Sequence, residues 1–196
     1  MASREQLCEP VGFDPQGQIA LLVFHPVLQE ANAAGQQMLD VLQALSGFSL
    51  QVICVMPNAD AGGRLIEQAI QNHKKQQTLN FYAVSHMARP QFISWMRHCD
   101  IMIGNSSSGI IEAATFATQV VNIGNRQYGR ERCANVLDVP TETSAIHAGI
   151  EQALQNCETD TAVENLYGDG EAGQRMLNLL VELPLGGDLL NKYNAY

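Results

Sequence analysis

The chain has 196 residues, 46% of them apolar and only 16% charged, which excludes a disordered chain and allows a substantial buried core. A formal charge of −9 opposes a nucleic-acid partner, because a phosphate backbone would be repelled over most of the surface. No apolar run reaches the roughly 18 residues needed to cross a bilayer, and the start, Met-Ala-Ser-Arg-Glu-Gln, lacks the basic-then-apolar order of a signal peptide, so no membrane partner is expected.

In chain order, six short apolar runs recur: Ile19–Phe24, Val52–Met56, Leu79–Val84, Ile101–Gly104, Val120–Ile123 and Val136–Val139. Most are too continuous for half-solvated strands and suit a sheet covered on both faces. Helical spacing fills the intervals. Met38, Val41, Leu42 and Leu45 follow the i, i+3, i+4, i+7 rule, and Leu65, Ile66, Ala69 and Ile70 share a face after the second run. Further helices are predicted over 89–98, 107–117, 143–156 and 170–182. Strands and helices in alternation predict an α/β fold with a doubly wound, mainly parallel, six-stranded Rossmann-like sheet. With no repeat or linker, the whole of 1–196 reads as one domain, with 184–196 as a C-terminal tail.

Five widely spaced cysteines (Cys8, Cys54, Cys99, Cys133, Cys157) and no C-x-x-C pair read as reduced thiols in a cytoplasmic protein. No cluster has zinc spacing, so no metal is expected, and the residues call for no cofactor.

Ligands of doubly wound folds bind beyond the carboxyl ends of the strands. That rule selects His25 after the first run, Asn58 and Asp60 after the second, His86 after the third, Asn105–Ser108 after the fourth, and Asn125–Arg126 after the fifth. The stretch "GNSSSGIIEA" leaves two readings open. Asn105 or a serine caps a helix, or Ser106, Ser107 and the helix N-terminus hold an anion that Gly109 lets approach closely. Glu112, placed on the first turns of that predicted helix, is favoured there by the helix dipole and can also accept two vicinal hydroxyls. His25, fixed by Pro26, is either a satisfied structural histidine or a titratable group at the ligand edge. His73, His98 and His147 fall in helical patterns and are expected at the surface. Arg126, Arg130 and Arg132 are three of only 11 Lys and Arg. Forked guanidinium groups suit a diphosphate, although a solvated turn with local ion pairs explains the same cluster. "YGDGEA" reads as a turn and cap before the last helix.

In this order the motifs resemble the UDP-N-acetylglucosamine 2-epimerases, from about Ser3 to Leu180. The carriers are "HPV", "PNADAGGR", "GNSSSGIIEA", "VVNIGNRQYGRE", "NVLDV" and "YGDGEA". "NRQYGRE" is similar to the hydrolysing branch, which releases N-acetylmannosamine and UDP, and the Thr-Glu-Arg-Pro-Glu stretch of the non-hydrolysing branch is absent. Members of the family are about twice this length and pair two Rossmann-like domains across a cleft, as GT-B glycosyltransferases do. This chain looks like the C-terminal, nucleotide-binding half alone.

The resemblance implies that Ser106 and Ser107 bind the diphosphate of UDP or UDP-GlcNAc and that Glu112 takes the ribose hydroxyls. It also implies that Met87 presents backbone groups to the uracil with Phe92 nearby, that His25 assists departure of UDP, and that Asn58 and Arg126 line the sugar-diphosphate side. His25 and Arg126 are thus the expected catalytic contributors. The acid and base acting at sugar C2 belong to the other half, so this chain alone is expected to be inactive. A separately encoded N-terminal epimerase domain is one implied partner, and an exposed former domain face makes a homo-oligomer another. A stand-alone, non-catalytic UDP-sugar-binding module and half of a GT-B glycosyltransferase are the competing functions. "DAGGR" matches part of a feedback site for CMP-sialic acid in some relatives. Here Gln68 and Gln71 stand where other basic residues are found, which argues against that regulation.

Overall fold

In the computed structural model, which describes residues 1–76, 80–157, 163–183 and 186, the apolar runs form six parallel strands. These are β1 (Ile19–Val23), β2 (Gln51–Val55), β3 (Phe81–Val84), β4 (Ile101–Gly104), β5 (Gln119–Ile123) and β6 (Val136–Val139). Their order across the sheet is β3-β2-β1-β4-β5-β6. The order reverses between β1 and β4, where Ala20 pairs with Ile101 and Val23 with Gly104. A crevice opens at such a reversal because the loops leaving the two strands run to opposite sides.

All of β1 is buried, and its side chains alternate between two cores. Ala20 and Leu22 face a core shared with α2 (Ala34–Leu45), α3 (Gly63–Gln76) and α6 (Thr143–Asn156). Ile19, Leu21 and Val23 face a core that includes Trp95 and Met96 of α4 (Arg89–His98) and Leu7 and Cys8 of α1 (Arg4–Cys8). Both faces are therefore covered, as the unbroken apolar runs require.

Three expectations need correction. The predicted helix over 107–117 is broken into α5 (Ser107–Ile111) and a 3-10 turn at Ala113–Phe116, which ends on Ala117 in the left-handed region at φ 54°. Helix α1 was not predicted, although Ser3 and Gln6 form a reciprocal capping box that "SREQ" spells out. His73, His98 and His147 are half-buried rather than surface residues. His73 meets the Phe81 ring edge-on and His147 lies against Phe48, with ring centroids 4.9 and 4.5 Å apart. Leu79, the predicted start of the third strand, and nearly all of the tail 184–196 lie outside the described residues.

The chain divides into two compact units, Met1–Leu166 and Tyr167–Tyr196. Within the second, Arg175 of α7 (Ala172–Glu182) donates to Asp169, and the Glu171 N–H donates to the same carboxylate at 3.1 Å. The expected turn before this helix is present, with Gly168 and Gly170 both at positive φ. Among the described residues, no helix is long and apolar enough to cross a membrane.

Candidate functional site

Gly104 closes β4 at φ 132°, a conformation that needs glycine, and turns the chain into the crevice beside β1. The next residue, Asn105, is buried and reaches across to the end of β1. Its Oδ1 accepts the His25 N–H at 2.7 Å and its Nδ2 donates to the His25 carbonyl at 2.8 Å. The carbonyl of Asn105 accepts from Gln127 Nε2 at 2.8 Å and from the Arg126 guanidinium at 3.1 Å. One residue thus joins the loops after β1, β4 and β5.

Ser106, not Asn105, is the N-cap of α5. Its Oγ accepts the Ser108 N–H at 3.4 Å and lies 2.8 Å from Ser108 Oγ. Ser106 and Ser107 are half-buried beside this cap.

His25 is half-buried, and its Nδ1 accepts the main-chain N–H of Asn58 at 3.3 Å. Burial, and then the Arg126 charge, push its pKa below the usual 6.5, with Asp60 opposing. The Asn58 side chain is exposed and donates to Asp60 at 2.5 Å. A cavity of about 410 Å³ opens beside it, lined by Met56, Asn58, Asp60, Arg64, Glu67 and Ser85.

Glu112 does not sit on the first turns of a long helix. It is the C-cap of α5 and leads into the 3-10 turn, so the expected support from a helix N-terminus is lost. Arg89, at the start of α4, supplies the positive charge instead: its Nη1 lies 3.1 and 3.0 Å from the two carboxylate oxygens. Met87 and Phe92 flank this corner, half-buried, and both pack onto the core beneath α4.

The arginine cluster divides. Arg126 turns toward Asn105 and His25, whereas Arg132 pairs with Asp138 at 3.0 Å and Arg130 is exposed. Gln127 and Arg89 have no ligand-site role in the sequence reading. Both act through main-chain or carboxylate partners distant in the chain, which periodicity does not register. Asp60 and Asn105 carried a signal, since both follow strand ends. None of the five cysteines forms a disulfide. Among the described residues, no group of three or more His, Cys, Asp or Glu is arranged to hold a metal.

Comparison with known proteins assigns this architecture. The family model for UDP-N-acetylglucosamine 2-epimerase matches residues 2–181. The chain is 43% identical over 195 residues to the UDP-N,N'-diacetylbacillosamine 2-epimerase (hydrolyzing) of Legionella pneumophila, covering 100% of this chain and 51% of the relative. It is 34% identical over 132 residues to polysialic acid biosynthesis protein P7 of Escherichia coli, covering 66% of this chain and 33% of that relative. Among solved structures, the UDP-GlcNAc 2-epimerase of Neisseria meningitidis bound to UDP-GlcNAc superposes with a TM-score of 0.73 at 16% identity, covering 92% of this chain and 49% of that one. The chain spans about half the length of its first-matched curated relative.

Proposed function

The chain belongs to the UDP-N-acetylglucosamine 2-epimerase family, and on that premise we propose that it is the C-terminal, UDP-binding half of a hydrolysing 2-epimerase. The observation that carries this reading is the junction at Asn105, which brings His25, the serine turn and Arg126 to one crevice at the strand-order reversal. An anion seated there meets hydroxyl donors and a guanidinium without needing a positive protein surface. Ser106 and Ser107 hold the diphosphate, Glu112 takes the ribose hydroxyls, and the main chain at Met87 meets the uracil beside Phe92. Asn58 and Arg126 border the sugar-diphosphate side.

In the complete enzyme, a base of the other half takes the C2 proton from the sugar. The C1–O bond then breaks with its electron pair passing to the β-phosphate oxygen, UDP departs and a 2-acetamidoglucal remains. Addition of water yields the 2-epimer, N-acetylmannosamine from UDP-GlcNAc. His25 and Arg126 oppose the charge growing on the leaving diphosphate, an electrostatic role that needs no proton transfer. The resemblance to a polysialic acid biosynthesis protein supports a place in sialic-acid-type sugar synthesis, and reduced thiols support the cytoplasm as its compartment.

Titration calorimetry with UDP tests the site. Binding is expected, weakened by Ser107→Ala and by Glu112→Ala, and absence of heat with UDP would sink the assignment. Turnover of UDP-GlcNAc is expected only when an N-terminal epimerase domain is supplied. Turnover by this chain alone would show that the proton-transfer groups lie here. A second reading concerns the sugar alone. The 43% identical relative is named for N,N'-diacetylbacillosamine, which favours a UDP-linked diacetamido sugar as substrate. Comparing the two nucleotide sugars in the reconstituted enzyme separates these substrates.

A further inference from the structure

Asn105 makes contacts that a cap or a turn does not need. It is 1% exposed, and it pairs with both main-chain groups of a residue 80 positions away. His25 offers one donor and one acceptor, so only one orientation of the amide satisfies both. The same residue's carbonyl is held by Gln127 and Arg126, which leaves the clamp little freedom to move. The His25 backbone is therefore fixed from the β4 side while its ring is engaged from the β2 side by the Asn58 N–H. A ring nitrogen that accepts an N–H carries no proton of its own. The neutral imidazole must then bear its proton on Nε2.

We propose that Asn105 is a positioning residue which, with the main-chain N–H of Asn58, holds His25 as the neutral Nε2–H tautomer, a hydrogen-bond donor to the leaving diphosphate rather than an imidazolium acid. This rests on the assignment of His25 to the diphosphate in the proposed function. The charged groups facing the ring are Arg126, which disfavours a second proton, and Asp60, which favours one. Arg126 has the larger effect and acts together with burial. During C1–O cleavage the electron pair passes to the phosphate oxygen, and His25 keeps its proton throughout. A UDP anion is a stable product and requires none.

The test is nitrogen NMR of the histidine side chains in the full chain above neutral pH, with His73 and His147 as internal comparisons. Wild-type His25 is expected to show an unprotonated Nδ1 and a protonated Nε2. In Asn105→Ala the loosened backbone is expected to release the ring from Asn58, giving mixed tautomers. UDP binding is then expected to weaken roughly tenfold relative to uridine, which lacks the diphosphate. Asn105→Asp, matched in size, is expected to raise the His25 pKa, because a carboxylate replaces the amide that faces its carbonyl. A wild-type His25 bearing its proton on Nδ1, or a mixture, overturns the proposal. So do folded variants whose His25 spectrum and UDP-to-uridine ratio match wild type. Should Asn105→Ala fail to fold, the wild-type and Asn105→Asp spectra decide the matter. Absence of UDP binding by wild type would overturn the proposed function, and the tautomer would still decide the role of Asn105.

Discussion

A single nitrogen of Arg89 serves both carboxylate oxygens of Glu112, at 3.1 and 3.0 Å, across a separation of 23 residues. The pair joins the start of α4 to the end of α5, and Arg89 is largely exposed, with 65% of its side chain accessible. An exposed pair of this kind is worth about 1 kcal/mol at most. Arg89→Ala is therefore expected to change unfolding free energy by less than that. It also frees the carboxylate for a vicinal diol, so UDP affinity is expected to hold or rise by a few fold. Glu112→Ala is expected to lower UDP affinity by about tenfold, through loss of charge-assisted hydrogen bonds, and to erase any preference over 2'-deoxy-UDP. Calorimetry with the two nucleotides checks both, and an unchanged preference in Glu112→Ala would remove Glu112 from the ribose site.

Gly104 stands at the mouth of the same crevice. Its φ of 132° is closed to side chains, and an added Cβ would overlap the Val23 carbonyl oxygen. Gly104→Ala must either open the β1–β4 pairing or shift the Asn105 turn. A loss of about 3 kcal/mol or more is expected from strain and steric overlap together. Urea unfolding measures it, and a loss under about 1 kcal/mol would mean that the turn relaxes freely.

Arg4 anchors the chain start at the opposite, N-terminal ends of the central strands β1 and β4. It donates to the carbonyls of Pro15 and Gly17 at 2.8 and 2.7 Å, to the carbonyl of His98, and to Asp100 at 2.9 Å. Asp100 in turn accepts the Ile19 N–H at 2.7 Å, so the guanidinium ties α1 and the end of α4 to the first residue of β1. Arg4→Ala is expected to cost about 2–4 kcal/mol, given typical values for hydrogen bonds to charged groups. Arg4→Lys is expected to recover only part of it, since an ammonium cannot span the same set of acceptors. Denaturant midpoints of the two variants decide this, and equal stability for Lys and Arg would show that charge alone matters.

The pH dependence follows from buried imidazoles. His25 and His73 both have pKa values pushed below the ordinary 6.5, His25 first by burial and then by Arg126, His73 by burial. A depressed histidine pKa means the unfolded chain binds protons more readily than the fold. This contribution is fully present above pH 6.5 and is lost as pH falls through the lower, folded values. Stability is thus expected to fall on acidification from pH 7, and His25→Gln together with His73→Gln is expected to flatten the slope. A profile in the double variant as steep as wild type would assign the acid sensitivity to other groups.

The strands were readable because burial on both faces demands continuous apolar runs, and such runs survive as local sequence. Ile101–Gly104 and Val136–Val139 match their predicted limits, and the remaining described strand boundaries shift by at most one residue. Local reading failed at 107–117, where apolar spacing continues through Glu112 but the backbone does not. Gly109 packs its Cα side against Val120 of β5, and Ala117 must turn left-handed to enter that strand, so the helix is cut to fit the sheet. It failed again for His73, which meets Phe81 of the next strand, and for His147, whose partner Phe48 lies far off in the chain.

By itself, the sequence of this protein determined the doubly wound class and the edge at which its polar residues gather. The reason is that strand burial and strand-end loops are properties of consecutive residues. It named His25, Asn58, Arg126 and the serine turn as neighbours of one edge, without saying which would touch. Only the tertiary structure decided that Asn105 grips His25 across the β1–β4 crevice and that Arg89 covers Glu112. Those contacts join residues 80 and 23 positions apart. They exist because strand order, which no local spacing encodes, reverses between β1 and β4 and folds the chain back on itself there.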